Sequence, residues 1–321
     1  MRRGIILPIC NESHPDGTES RRTPSVAYRT GLGVMYWGNA EDVLRSQLRK
    51  YEGKIQLIFT SPPFPLNRKK KYGNQKGEDY TRWLSGFASL FSKVLKSNGS
   101  IVMELGNAWE PGRPVMSTLA LEALLDFKRV GQFSLCQQFV SYNPARLPTP
   151  AQWVTVERIR VKDSYTHIWW MSKTDRPKAN NRRVLKAYSE SMVRLLATKK
   201  YNAGKRPSEH HIGDTSFLKN NGGAIPSNVL VSANTSASDR YLNYCRKNGF
   251  DLHPARMAEH LPEFFIKFLT TEGDLVLDPF AGSNTTGACA EKLKRPWVSI
   301  ESNLEYVIGS SGRLHKTGEP M

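Results

Sequence analysis

Two short turns in this sequence have the composition of ligand-binding corners. One is Thr60-Ser61-Pro62-Pro63-Phe64, directly after the apolar run KIQLIFT (54–60). Proline fixes its own φ and carries no N–H, so the pair holds the turn rigid and leaves the Ser61 and Pro62 carbonyls free to accept hydrogen bonds. With the Phe64 ring beside them, such a corner suits an exocyclic amino group on a flat ring. A plain proline turn is the competing reading. The other is Asp278-Pro279-Phe280-Ala281-Gly282-Ser283-Asn284-Thr285-Thr286, which follows DLVLD (274–278) and opens a helical pattern. Open α/β sheets bind ligands there, outside the carboxyl end of a strand and near a helix N-terminus. Gly282 permits close backbone approach. Glu301 closes the next apolar run, 23 residues after Asp278, where a carboxylate can accept hydrogen bonds from a ribose diol. The turn is neither G-x-G-x-x-G nor a Walker loop, so it suits a nucleoside without a long phosphate chain; an ordinary strand–turn–helix connection is the alternative.

Three further groups belong with these corners. Glu104, near the end of SIVMEL (100–105), can face the same crevice or serve as a structural carboxylate paired with a Lys or Arg. Arg68, Lys69, Lys70 and Lys71 follow the proline turn and read either as phosphate contacts near a target or as a solvated charge run. Arg158-Ile159-Arg160-Val161-Lys162-Asp163 alternates like a half-exposed strand, whose basic residues could meet phosphates or simply face water.

The elements that must position these residues alternate between strand and helix. Strands are expected at 33–38, 54–60, 100–105, 133–142, 165–172, 274–278 and 297–301. The second is a continuous apolar run, as in a strand buried on both faces. Tyr80, Trp83, Leu84, Phe87, Leu90, Phe91, Val94 and Leu95 recur at helical spacing over 79–97, with Asp79 to cap the start and Gly99 after the end. Further helices are expected near 115–129, from Pro262, from about residue 285, and after 301. This alternation argues for an α/β, Rossmann-like, doubly wound and mostly parallel sheet. Residues 175–252 break the texture. Between 176 and 250 there are 14 Lys/Arg against 4 Asp/Glu, a surplus of 10 within a total net charge of +17, so this reads as an inserted basic region.

That excess charge points to a polyanionic partner, with nucleic acid the default and a generically basic protein the alternative. At 321 residues, 39% hydrophobic and 10% aromatic, the chain can build a real core and is not largely disordered. No apolar run approaches the ~20 residues that span a bilayer. The stretch MRRGIILPICNESHP lacks a leader's pattern; a cytoplasmic protein without a membrane partner is expected. Cys10, Cys136, Cys245 and Cys289 show no C-x-x-C spacing, so neither a zinc site nor a redox pair is expected, and no metal.

Taken together and in this order, the two turns resemble those of the DNA amino-methyltransferases. Thr60–Phe64 resembles the catalytic S/D/N-P-P-F/Y/W motif and Asp278–Thr286 the cofactor motif. The catalytic motif comes first, with the basic module between, which is the β-group order. Residues 144–174 and 253–287 look like the cytosine-N4 branch, the modification methylases of bacteria, and the likeness runs over roughly 34–312. The resemblance implies a methyltransferase domain whose catalytic half is 34–174 and whose S-adenosylmethionine-binding half is 253–321, with 1–33 an N-terminal extension and 175–252 the target-recognition region. It implies cofactor contacts from Thr60, Asp278, Phe280, Ala281, Gly282, Ser283, Asn284 and Thr285, with Glu301 on the ribose hydroxyls and 253–267 near the methionine end. Asn39 stands where the family often has Asp, and an amide can still hydrogen-bond an adenine. Ser61, Pro62, Pro63 and Phe64 would hold a flipped base, with Glu104 beside the serine. Arg68, Lys69, Lys70, Lys71, Arg158, Arg160, Lys162, Arg182, Arg183, Lys205 and Arg206 would meet double-stranded DNA, and a cognate restriction endonuclease would share the site.

The chemistry implied is methyl transfer to N4 of cytosine. An exocyclic nitrogen has its lone pair delocalised into the ring, so acceptors on its hydrogens are what a catalyst must supply. Adenine-N6 methylation shares the fold, and Ser in place of Asp or Asn leans away from it. Cytosine-C5 chemistry needs a thiolate, usually after a proline, and no cysteine here follows one. A non-enzymatic DNA-binding protein accounts for the charge but not for two ligand-type turns.

Overall fold

The structure is a computed structural model that describes residues 24–64, 77–205, 207–209, 211–232 and 239–314. The chain enters through β1 (Ser25–Arg29) and β2 (Gly33–Trp37), then α1 (Ala40–Ser46), the short α2 (Leu48–Tyr51) and β3 (Ile55–Thr60). Helix α3 (Gly77–Val94) leads into β4 (Leu95–Gly106). The two-residue strands β5 (Ala108–Trp109) and β6 (Met116–Ser117) pair ahead of α4 (Leu119–Val130). After β7 (Ser134–Tyr142) a π-helical turn over Gln152–Val156 precedes β8 (Tyr165–Ser172). Further on come α5 (Glu190–Thr198), β9 (Gly204–Lys205), β10 (His211–Ile212), β11 (Val229–Val231), α6 (Arg240–Asn248) and α7 (His260–Leu269). The chain closes with β12 (Leu275–Asp278), α8 (Thr285–Lys292), β13 (Trp297–Glu301) and α9 (Leu304–Ser311).

Nine strands form one sheet in the order β1-β2-β13-β12-β3-β4-β8-β7-β11. The central run β2-β13-β12-β3-β4 is parallel throughout, while β1, β8 and β7 add antiparallel pairings. Strand alternation splits the core in two. Ile101, Met103 and Leu105 face α1, α3 and α4 on one side; Val102, Leu57 and Phe59 face α7, α8 and α9 on the other. Burial on both faces explains why β3 reads as an unbroken apolar run. The mostly parallel, doubly wound architecture expected from the alternation is what forms.

Several boundaries differ from the sequence expectation. Helix α3 ends at Val94, because Leu95 already pairs with Ile55 as the start of β4; the apolar period continues through Leu95 but the backbone does not. Residues 116–117 pair with 108–109, so α4 begins only at Leu119. Helix α7 starts at His260, two residues before Pro262, which proline tolerates because first-turn N–H groups have no intrahelical partner. The Arg158–Asp163 stretch is not a strand: Arg158 has φ +58° and the segment is a loop. Strand β1 lies in the stretch read as an extension.

A second compact unit spans Ala179–Ser227. Its ends are tied by reciprocal backbone bonds between Lys186 and Ala224, both 2.9 Å. Inside it, α5 is capped by Ser189, β9 pairs with β10, and Tyr201 meets Phe217 edge-on at 5.5 Å. Helix α5 buries no residue. The unit is narrower than the basic region read from composition, because β11 and α6 belong with the sheet.

Candidate active site

The carboxyl ends of β13, β12, β3 and β4 lie side by side, so Glu301, Asp278, Thr60 and Glu104 converge although they are far apart in sequence. Asp278 is the hub. It is buried and accepts three hydrogen bonds: from Thr60 Oγ1 at 2.8 Å, from the Phe280 amide at 3.2 Å and from Thr286 Oγ1 at 2.7 Å. Burial raises its pKa to about 6 despite these donors. Its carboxylate and the Thr60 hydroxyl therefore serve to clamp the two turns together.

Gly282 has φ +51°, a region that favours glycine, and its amide donates to Glu301 Oε2 at 2.8 Å. A Cβ at Gly282 would come 2.8 Å from His253 Nε2. The Glu301 carboxylate also accepts from the Asn303 amide at 2.9 Å. Burial raises its pKa, opposed by the backbone N–H groups of Asn303, Gly282 and Ser302. Ala281 is anchored through its amide to the Ile300 carbonyl. The Phe280 ring packs 5.5 Å from Trp83 and 5.2 Å from Phe87 on α3. Asn284 is fully buried and caps α8, its amide oxygen held by Gly287 N and Ser299 Oγ and its nitrogen donating to Tyr28. Ser283 meets Thr285 and the guanidinium of Arg313. The side chains of Asn284 and Ser283 are thus engaged within the protein, as are the Ser283 carbonyl, which accepts from Arg313 Nε at 2.8 Å, and the Asn284 amide, which donates to the Ala281 carbonyl at 2.7 Å. Asn39 is exposed and caps α1 through its amide oxygen, 2.8 Å from the Glu41 amide.

At the neighbouring corner, Ser61 hydrogen-bonds the buried Glu104 carboxylate, which also accepts from Thr166 Oγ1 at 2.7 Å. A carboxylate only accepts, so Ser61 donates and keeps its oxygen lone pairs for another group. Burial raises the Glu104 pKa, while Thr166, Ser61 and the charge of Arg146 oppose the rise. The Phe64 ring lies on the Gly106 backbone, where a Cβ would come within 2.5 Å of it.

The basic residues fare differently. Arg68, Lys69, Lys70, Lys71 and Arg206 lie outside the described residues. Arg160 and Lys162 donate to the carbonyls of Pro114 and Pro144, and Arg158 is exposed. Arg182 and Arg183 sit in the 3-10 turn Asn181–Val184 of the second unit, and Lys205 pairs with Glu209 at 2.9 Å on the surface. Thr166, Arg146 and Gly106 complete the proline corner without having been singled out from the sequence: each occupies a position whose type is unremarkable until β8, the 143–164 loop and β4 are brought together; His253, at the start of the 253–267 segment expected near the cofactor, packs on Gly282. Among the described residues no group of three or more His, Cys, Asp or Glu could hold a metal ion, and no helix is long and apolar enough to cross a membrane.

Known proteins are similar to this chain over most of its length. The chain is 43% identical over 90% of its length to the type II methyltransferase M.PvuII of Proteus hauseri, covering 85% of that protein. It is 37% identical over 82% of its length to the type II methyltransferase M.HpaI of Haemophilus parainfluenzae, covering 69% of that protein. The solved structure of the PvuII DNA methyltransferase (cytosine-N4-specific) superposes with a TM-score of 0.73 at 37% identity, over 92% of this chain and 90% of that one. The DNA methylase family profile matches residues 55–310, which takes in both corners and the strands that carry them, and the chain belongs to that family.

Proposed function

We propose that this protein transfers a methyl group from S-adenosylmethionine to N4 of a flipped-out cytosine in duplex DNA, as the modification enzyme of a bacterial restriction–modification system. The observation that carries this reading is the Ser61–Glu104 pair at the proline turn, adjoining the Asp278 turn through the Thr60–Asp278 bond. Likeness over most of the chain to proteins described as type II methyltransferases supports it.

The residues present fit the cofactor. Gly282 takes the left-handed backbone that aims its amide at Glu301, with His253 packed against its Cα, and Glu301 is a buried carboxylate held by backbone amides beside it. The turn Ala281–Thr285 would hold the nucleoside, with Glu301 on the ribose, Asn39 near the adenine and Phe280 flanking the turn. When bound, S-adenosylmethionine supplies an electrophilic methyl group on sulfur. The chain's own part is to prepare the nitrogen. Ser61 Oγ, its proton committed to Glu104, accepts one amino hydrogen, and the Pro62 carbonyl accepts the other. That localises the lone pair for in-line attack. As the nitrogen loses its proton, Ser61 Oγ takes it and passes its own to Glu104, a carboxyl whose raised pKa suits it to the task. Phe64 stacks on the extruded ring.

In the same reading, the basic region that includes Ala179–Ser227 recognises the target site. Arg182, Arg183 and Lys205 are its candidate contacts, together with Arg206 and Arg68–Lys71 outside the described residues. A restriction endonuclease that cuts the same site is the implied partner, in the cytoplasm at the nucleoid. The test is to methylate DNA with labelled cofactor, digest it to nucleosides and identify the labelled one by mass spectrometry. Label on N4-methylcytosine is expected. Label on N6-methyladenosine overturns the base assignment, and label on 5-methylcytosine overturns the mechanism.

A further inference from the structure

The loop between β7 and β8 inverts ordinary surface chemistry. Three of its four cations are spent on the protein's own backbone. Arg160 Nε donates to the Pro114 carbonyl at 3.0 Å, Lys162 Nζ to the Pro144 carbonyl at 2.7 Å, and Arg146 Nη1 to the Tyr165 carbonyl at 3.3 Å. Its apolar side chains point outward: Val161 is 87% exposed, Leu147 76% and Val156 68%. Solvated loops usually do the reverse, with charges in water and aliphatic groups covered.

The loop is also stiff and rooted at the catalytic corner. The Asn143 amide donates to the Ser164 carbonyl at 2.8 Å and the Asp163 amide to the Thr149 carbonyl at 3.1 Å. Asp163 Oδ1 accepts from Asn107 Nδ2 at 2.8 Å, three residues beyond Glu104. Tyr165, which Arg146 holds, directly precedes Thr166, the residue that donates to Glu104. A braced loop with bare aliphatic tips, standing beside the pocket for an extruded base, has the chemistry of a wedge.

We propose that the 143–164 loop enters the DNA duplex at the target, with Val161 and Leu147 filling the gap left in the base stack. The proposal rests on the methyltransferase reading above. Extrusion breaks a base pair and its stacking contacts, and apolar side chains entering a base step are a known means of making up for that loss. The net charge of +17 favours a nucleic acid over a second copy of the same cationic chain. Arg158, exposed and in no ion pair among the described residues, is positioned to meet a phosphate beside the wedge.

The experiment uses duplexes carrying the site that modification-detecting sequencing identifies, with the target cytosine either paired to guanine or opposite an abasic position. A second set carries pyrrolocytosine as the target, whose fluorescence rises on unstacking. For Leu147→Ala/Val161→Ala in the full chain, the single-turnover rate on the paired duplex should fall about tenfold or more, with less than about threefold loss opposite the abasic position, where extrusion is easier. The fluorescence rise should fall in parallel, and Leu147→Met/Val161→Ile should restore both. Equal losses on the two duplexes, an unchanged rate, or a full fluorescence rise in the double-alanine variant would each overturn the wedge. Absence of methyl transfer to cytosine by the wild-type protein would instead count against the methyltransferase reading, and the fluorescence comparison still decides the wedge.

Discussion

Glu104→Gln isolates the carboxylate's role because it preserves shape while altering charge and hydrogen-bond direction. In the wild type Glu104 can only accept from Ser61 and Thr166. A glutamine offers one oxygen and one NH2, so it cannot accept from both hydroxyls on separate atoms. With Thr166 on the amide oxygen, the NH2 faces Ser61, whose proton then turns toward the base and competes with the amino hydrogens. A hydrogen bond to a charged group contributes about 1.5–3 kcal/mol, so its loss from the transition state lowers the rate by about ten- to 150-fold. The stability effect runs the other way. Glu104 has a folded-state pKa above its unfolded value, mainly through burial. The folded state binds the proton more tightly, so stability falls as pH rises from the unfolded value through the folded one. At neutral pH the neutral glutamine removes that penalty, and the variant should be no less stable than the wild type. Single-turnover methyl transfer across pH, with thermal melting and cofactor calorimetry on the same samples, separates the two effects. The wild-type rate should decline as pH falls through a carboxylate pKa above the usual range, and the variant should lack that limb. A variant within about threefold of wild type, or one that loses rate only in proportion to lost stability or cofactor affinity, would falsify the assignment.

Arg146→Gln removes the one charge that opposes the Glu104 rise, so the acid limb of the rate should move to higher pH; Arg146→Lys should move it less, and an unchanged profile removes Arg146 from the site. Gly282→Ala places a methyl against His253 in a strained backbone region, and S-adenosylhomocysteine affinity measured by calorimetry should fall about tenfold or more, since the strain is of order 1–2 kcal/mol before any clash, with DNA affinity kept. Burial alone would raise Asp274, but Lys178, the Thr271 amide and Lys96 together hold it at about 2. Its contribution to stability is therefore full above the unfolded carboxylate pKa and lost as pH falls through about 2. In Asp274→Asn, acid unfolding followed by circular dichroism should lose part of its steepness in that window.

Both corners were legible because their signals are local. A proline pair after an apolar run, and a glycine turn opening a helix, dictate backbone shape whatever surrounds them. The parallel sheet was legible for the same reason, since β3 and β12 carry apolar residues on consecutive positions. What escaped depends on contacts between distant strands. Leu95 continues the apolar period of α3, and only its pairing with Ile55 turns it into strand. Asn284 and Thr60 belong to motifs that suggest ligand contacts, and the motifs do not reveal that their side chains also bond Tyr28, Ser299 and Asp278. Arg160 and Lys162 alternate with valine and isoleucine as a strand would, but the carbonyls of Pro114 and Pro144 capture them and hold a loop. Charge and spacing say which groups are present, and the carbonyls within reach decide which way those groups point.

The clamp at Asp278 has a bearing on how the protein is made. Thr60 and Asp278 are 218 residues apart, yet the strands they end are neighbours. A chain emerging from the ribosome through β4 has its proline turn but none of the acceptor that fixes Thr60, and β3 has an open edge where β12 will later insert. Contacts this distant in sequence form slowly, whereas lengthening the intervening chain adds little further entropy cost, about 0.6 kcal/mol per doubling. The stretch that includes Ala179–Ser227 can therefore be enlarged at small thermodynamic expense, whereas shortening β12 would draw Asp278 away from Thr60. On this view methylating activity switches on only with synthesis of the final strands, because a chain that stops short of β12 lacks the Asp278 turn and the acceptor that ties it to the proline corner.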